Sequence, residues 1–133
     1  METEDFVRLY DSGERDFREA DLSNINLDYA NLTYADFRQA NLSNIKLNYG
    51  NLSYGNFKGA NLSGADLTGT QLSSATFKNA DLRNANLSDT DLSYVTWEGA
   101  DLRGANLTGA HLYNTDLRAV KTDENTKMSQ NNS

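Results

Sequence analysis

The chain contains no cysteine and a single histidine in 133 residues. Without cysteine there is no disulfide framework and no thiol chemistry, which fits a reducing compartment and makes the cytoplasm the default location. No Gly-rich phosphate loop precedes a helix, and the Gly-Gly-x-Gly-x-Asp runs of calcium-binding repeats do not occur. A general base needs a concave pocket and an orienting partner, and His111 offers neither: it stands at a position mostly filled by Asp or Asn. These absences exclude an enzyme, a cofactor and a metal site from the expectation. No stretch approaches the roughly eighteen apolar residues of a membrane span, and Met1 to Gly13 is acidic rather than a basic, apolar leader.

What the chain has in abundance is order. Every fifth residue from Phe17 to Leu117 is large and apolar, twenty-one positions in succession filled by sixteen Leu, four Phe and Trp97. A step of five advances a helical side chain by about 140° and flips a strand residue to the other face, so neither element keeps all of them on one side. They share an interior only if the backbone turns a corner every five residues. The aromatic members, Phe17, Phe37, Phe57, Phe77 and Trp97, recur every twenty residues, which closes one circuit with four pentapeptides. Circuits stacked about 4.8 Å apart make a rod roughly 25 Å tall.

The other positions fit this geometry. Two residues before each centre stand twelve Ala, two Gly and three Thr among the twenty-one, small side chains that leave room for four large ones per layer. Between these inward positions lie eight Asp and eight Asn, whose side chains bond nearby backbone amides. The two residues after each centre are mostly Ser, Thr, Asn, Gly, Lys, Arg or Tyr and suit corners facing water. Most Asn-x-Ser/Thr sites, such as Asn31, Asn41 and Asn61, are by-products of this repeat.

Runs such as Ala20-Asp21-Leu22, Ala60-Asn61-Leu62, Ala80-Asp81-Leu82 and Ala100-Asp101-Leu102 resemble the A(D/N)LXX repeats of the pentapeptide repeat family, cyanobacterial type. The resemblance spans residues 15–119 and implies an all-β solenoid: a right-handed quadrilateral parallel β-helix, here of about five coils. Three regions are expected: an N-terminal capping helix in 1–14, the repeat in 15–119 and a polar, disordered tail in 120–133. In the helix, Thr3 is the expected cap, Glu4 and Asp5 favour the dipole, Phe6, Leu9 and Tyr10 line one face and Gly13 stops it. The far end is closed only by Ala119 and Val120, which leaves a monomer or an end-to-end homodimer through the C-terminal coil.

Family resemblance says little about activity. The expected function is a non-enzymatic protein-interaction or scaffold module with an unknown protein partner. The alternative is a DNA mimic acting on DNA gyrase, a role that the resemblance brings with it and that the net charge of −7 invites. Yet residues 1–14 carry −4 and residues 15–119 only −3. A 25 Å mimic of duplex DNA, with a charge about every 1.7 Å, would present on the order of fifteen. The acidic balance also argues against nucleic acid as a partner.

Two surfaces stand out. On the aromatic wall the residues after each centre are Arg18, Arg38, Lys58, Lys78, Glu98 and Arg118, five of six basic. Arg18, Arg38, Lys58 and Lys78 form a basic ladder whose like charges repel by about 1 kcal/mol per step before screening. Asp16, Asp36 and Asp116 stand two residues before Arg18, Arg38 and Arg118, where local pairs neutralise part of it. Tyr29 and Tyr49 share one corner column and Tyr34 and Tyr54 the next, a patch of large, rigid, outward side chains. They either stack only on one another or bind a partner.

Overall fold

The structure is a computed structural model that describes residues 1–128. From Phe17 onward the backbone repeats one five-residue unit: a residue in a bridge, the buried centre, two turn residues and a small inward residue. The turn closes by a backbone bond from the inward residue to the centre, as from Ala60 N–H to Phe57 O (2.9 Å). Its second residue has positive φ at all twenty positions from Glu19 to Asn114, fourteen of them not glycine. That left-handed corner is what lets the chain turn every five residues, and side chains there carry strain.

Bridges then tie each unit to the one twenty residues on, as in Asp36 with Asn56 and Asn56 with Thr76. Four units therefore make a circuit. The expected all-β solenoid, a right-handed quadrilateral parallel β-helix, is not what forms. Among the described residues the pairing consists of eighteen isolated parallel bridges, one residue each, with no strand, sheet or barrel. The reason lies in the unit itself. Two of its five residues go into a turn with a left-handed corner, which leaves three residues between corners, enough for a single bridge and too few for a strand. The molecule is a stack of tight turns cross-linked at single residues.

The interior is the Leu and Phe series with its small companions. Leu22, Leu42, Leu62, Leu82 and Leu102 are fully buried, and Ala60, Ala80 and Ala100 beside them are buried as well. The aromatic centres pile face to face, with ring centroids 5.3 Å apart for Phe37 and Phe57, 4.8 Å for Phe57 and Phe77 and 5.2 Å for Phe77 and Trp97. Asp and Asn in the bridging position fold over the turn. Asn61 Oδ1 accepts the N–H of Ser63 (2.9 Å) and its hydroxyl (2.7 Å), a pattern repeated at Asn41 and Asn86.

At the lower end α1, Thr3–Asp11, lies on the first circuit. Phe6 is its buried anchor, 4.5 Å from the Phe17 ring. Thr3 is the first helical residue rather than the cap; Glu2 holds that place and makes no side-chain capping bond. Tyr10 donates its hydroxyl to Thr33 O (2.9 Å) and carries the Arg15 guanidinium over its ring at 3.5 Å, while Leu9 stays exposed.

At the upper end the structure differs from the expected disordered tail over residues 121–128. Lys121 bridges Asp101 and Lys127 bridges Asn106, so the offset grows from twenty residues to twenty-one. The extra residue fits in a turn: Thr126 N–H bonds Asp123 O, and Thr126 Oγ1 donates to Leu102 O (2.8 Å). Asp123 Oδ1 accepts Gly104 N–H (3.0 Å), which ties this segment to the repeat. Residues 129–133, the rest of that tail, lie outside the described residues.

Candidate functional site

Tyr29, Tyr34, Tyr49 and Tyr54 occupy the left-handed corner, with φ between +60° and +67°. Their backbone is therefore strained, and their rings project into solvent at 75%, 64%, 57% and 53% exposure respectively. The rings form two stacks: Tyr29 on Tyr49 at 5.7 Å and 16°, Tyr34 on Tyr54 at 4.9 Å and 5°. Stacking consumes one face of each ring and leaves the edges and hydroxyls outward. The Tyr49 ring also covers Gly69 of the next circuit. Two further tyrosines, Tyr94 and Tyr113, meet edge to face at 5.7 Å. Neither belongs to the expected patch, although Tyr94 falls in the column of Tyr34 and Tyr54.

The basic ladder is present but unequal along its length. Arg18 grips Asp16 through Nε (2.8 Å) and Nη2 (2.8 Å), and Arg38 grips Asp36 in the same forked way. The Arg18 side chain and its N–H together hold the Asp16 carboxyl down at about 2, and Arg38 lowers that of Asp36 by the same means. Among the described residues Lys58 and Lys78 have no carboxylate at ion-pair distance. A surface groove of about 580 Å³ runs along the ladder, lined by Asp16, Arg18, Glu19, Arg38, Gln39 and Lys58.

Arg18, Arg38 and Lys58 thus come together in one groove, with Lys78 one circuit beyond. The tyrosines do not join them. They follow the Leu27 and Leu32 columns of the circuit, whereas the ladder follows the Phe17 column. Two more forked pairs, Arg83 with Asp81 and Arg103 with Asp101, form a second column next to the ladder. Their signal is an Asp-Leu-Arg tripeptide, the analogue of Asp16-Phe17-Arg18. His111 is exposed, and among the described residues no group of three or more His, Cys, Asp or Glu could hold a metal ion. No helix of the described residues is long and apolar enough to cross a membrane.

The five-residue unit and its twenty-residue offset have direct counterparts among known proteins. A sequence model of the pentapeptide repeat region matches residues 52–126, and one of pentapeptide repeats in eight copies matches residues 14–44. The chain belongs to the pentapeptide repeat family. It is similar to the crystal structure of the pentapeptide repeat protein Rfr23 from the cyanobacterium Cyanothece 51142, with 32% identity, a TM-score of 0.88 and coverage of 95% of this chain and 98% of that one. HetL, a pentapeptide repeat protein involved in heterocyst differentiation regulation in the cyanobacterium Nostoc sp. strain PCC 7120, is 30% identical with a TM-score of 0.54, over 90% of this chain and 65% of its own. A pentapeptide repeat protein from the thylakoid lumen of Arabidopsis thaliana shares 25% identity and a TM-score of 0.52, over 74% of this chain and 61% of its own. No curated protein sequence matches at a significant level. As a pentapeptide repeat protein the chain is a non-enzymatic module of the interaction type.

Proposed function

We propose that this pentapeptide repeat protein works as a scaffold that binds a partner protein through its exposed side chains, with the tyrosine stacks and the basic ladder as its contact surfaces. The observation that carries this reading is the pair of tyrosine stacks at Tyr29/Tyr49 and Tyr34/Tyr54. Bulky residues at a left-handed corner are strained, yet four stand side by side where later circuits use Gly69 and Ser74. Stacked tyrosines offer a large rigid area with little entropy left to lose on binding. Affinity capture from the native host with the wild type and with all four tyrosines changed to Ser tests this. A partner set that survives the substitution removes the tyrosines from the reading.

The far end supports a homodimer as the second contact of this module. Ala119 and Met128 are exposed in this last stretch, and Leu117 and Val120 are half-buried. Light scattering over a range of concentrations checks it; a constant monomer mass rejects it. The reading of a DNA mimic acting on gyrase rests on the net charge of −7. Five Arg–Asp pairs within the repeat, from Arg18 to Arg118, reduce the free negative charge it would present. Inhibition of gyrase supercoiling at micromolar protein favours that reading over the scaffold.

A further inference from the structure

The self-neutralising pattern of the ladder is interrupted halfway up and returns only at Arg118 with Asp116. Arg18 and Arg38 each answer a carboxylate two residues earlier, but at the next two circuits that position is Asn56 and Thr76. Both keep the local bond, accepting the N–H of Lys58 (3.1 Å) and Lys78 (3.4 Å), and neither brings charge. The cation changes at the same step, from a forked guanidinium engaged with its own Asp to a flexible ammonium with three donors and no acceptor. Two ammonium groups with no carboxylate at ion-pair distance among the described residues therefore follow Phe57 and Phe77, whose rings stack 4.8 Å apart, and Glu98, one circuit above Lys78, bounds the cationic stretch from the other side. Lys58 borders the groove, and the Gln39 amide reaches up over Gly59 beside it. The upper end of the groove thus combines an ammonium with amide donors.

We infer that Lys58 and Lys78, with the groove beside Arg38 and Gln39, dock an acidic segment of a partner protein, a short run of Asp and Glu side chains. The inference rests on the scaffold reading and specifies its partner at the ladder. Charge complementarity selects this occupant. An extended peptide places alternate carboxylates about 6.7 Å apart, within reach of two lysine stems one circuit apart. Asp16 and Glu19 close the lower part of the groove to negative charge, and residues 1–14 below it carry −4. A nucleic acid, charged along its whole length, meets repulsion there, whereas a segment with two or three carboxylates sits on the lysines alone.

The test is an NMR titration of the ¹⁵N-labelled full chain with a decaglutamate peptide. Amide shifts are expected at Gln39, Lys58, Gly59, Lys78 and Asn79, saturating at submillimolar peptide. Raising the salt from about 0.01 to about 0.15 M, which shortens the screening length from about 30 to about 8 Å, should weaken binding by roughly fivefold or more. Lys58→Gln with Lys78→Gln should abolish the shifts while the melting temperature stays unchanged. Absent shifts, shifts that persist in the double variant, or tighter binding of a single-stranded oligonucleotide would each overturn the proposal. The variant lacking the four tyrosines should bind the peptide as the wild type does. If that variant loses its host partners while the peptide moves no amide of the wild type, the scaffold reading stands and this proposal falls.

Discussion

Replacing Gly69 by Ala separates two costs that the corner column imposes together. Gly69 has φ +68°, and a Cβ placed there would lie 2.6 Å from Cδ1 and from Cε1 of the Tyr49 ring. The backbone part is about 1–2 kcal/mol for a left-handed Ala, less about 0.4–1 kcal/mol for the stiffer unfolded chain, or about 1 kcal/mol net. Tyr49 is exposed and has room to swing away, but in doing so it leaves Tyr29, on which it stacks at 5.7 Å. Losing that pair adds about 0.5–1.5 kcal/mol, for a total of about 1.5–2.5 kcal/mol. Gly64→Ala is the control. Its φ is nearly the same at +69°, but its new Cβ meets only Asn44 Oδ1, the end of a side chain that can turn aside. It should cost about 1 kcal/mol, the backbone part alone. In a Tyr49→Ser background Gly69→Ala should fall to that same value. Urea unfolding with unchanged m-values measures the wild type and the four variants, Tyr49→Ser alone included. Equal costs for Gly64→Ala and Gly69→Ala, or a coupling to Tyr49 below about 0.3 kcal/mol, would refute the reasoning.

Ala60 is buried beside Phe57 and Leu62, so Ala60→Leu overfills a layer and should destabilise by about 1–3 kcal/mol; a thermal melt identical to wild type would contradict the packing. Among the described residues Trp97 Nε1 is buried without a hydrogen-bond partner. Trp97→Phe removes that orphan, worth about 1–3 kcal/mol, against the lost ring burial, so stability should stay within about 1 kcal/mol of wild type. Trp97→Ala should lose about 3–5 kcal/mol, and similar losses for the two would show that the orphan carries no penalty. Asp16 and Asp116 are held at about 2, below the ordinary 3.8. A depressed folded value means that their contribution is complete above 3.8 and is lost as pH falls toward 2, with Asp36, Asp81 and Asp101 shifted the same way. Urea midpoints that stay flat between pH 3.8 and 2 would exclude it.

Much of this architecture was legible from residue types. The five-residue recurrence of Leu and Phe names the buried positions, because only a corner every five residues keeps them on one side. The twenty-residue recurrence of the aromatics names the register, and the bridges from Asp36 to Asn56 and from Asn56 to Thr76 follow it. Asp16-Phe17-Arg18 likewise announces its ion pair, since both charged side chains leave the same side of the backbone. Tyr29, Tyr34, Tyr49 and Tyr54 could be placed outward by the same count.

Periodicity alone says which side chains share an interior and is silent on how the backbone between them is spent. Only the tertiary structure shows that the corner is left-handed at Glu19 through Asn114 and that one bridging residue per unit replaces the expected strands. The same holds for Lys121 to Lys127, whose polar composition reads as tail. Their attachment depends on the open bridging groups of Asp101 and Asn106 and on the carboxylate of Asp123 meeting Gly104 N–H. Those partners are about twenty residues away along the chain and adjacent only after it has wound. Composition records a residue's own chemistry, while hydrogen-bond satisfaction depends on what folding brings beside it.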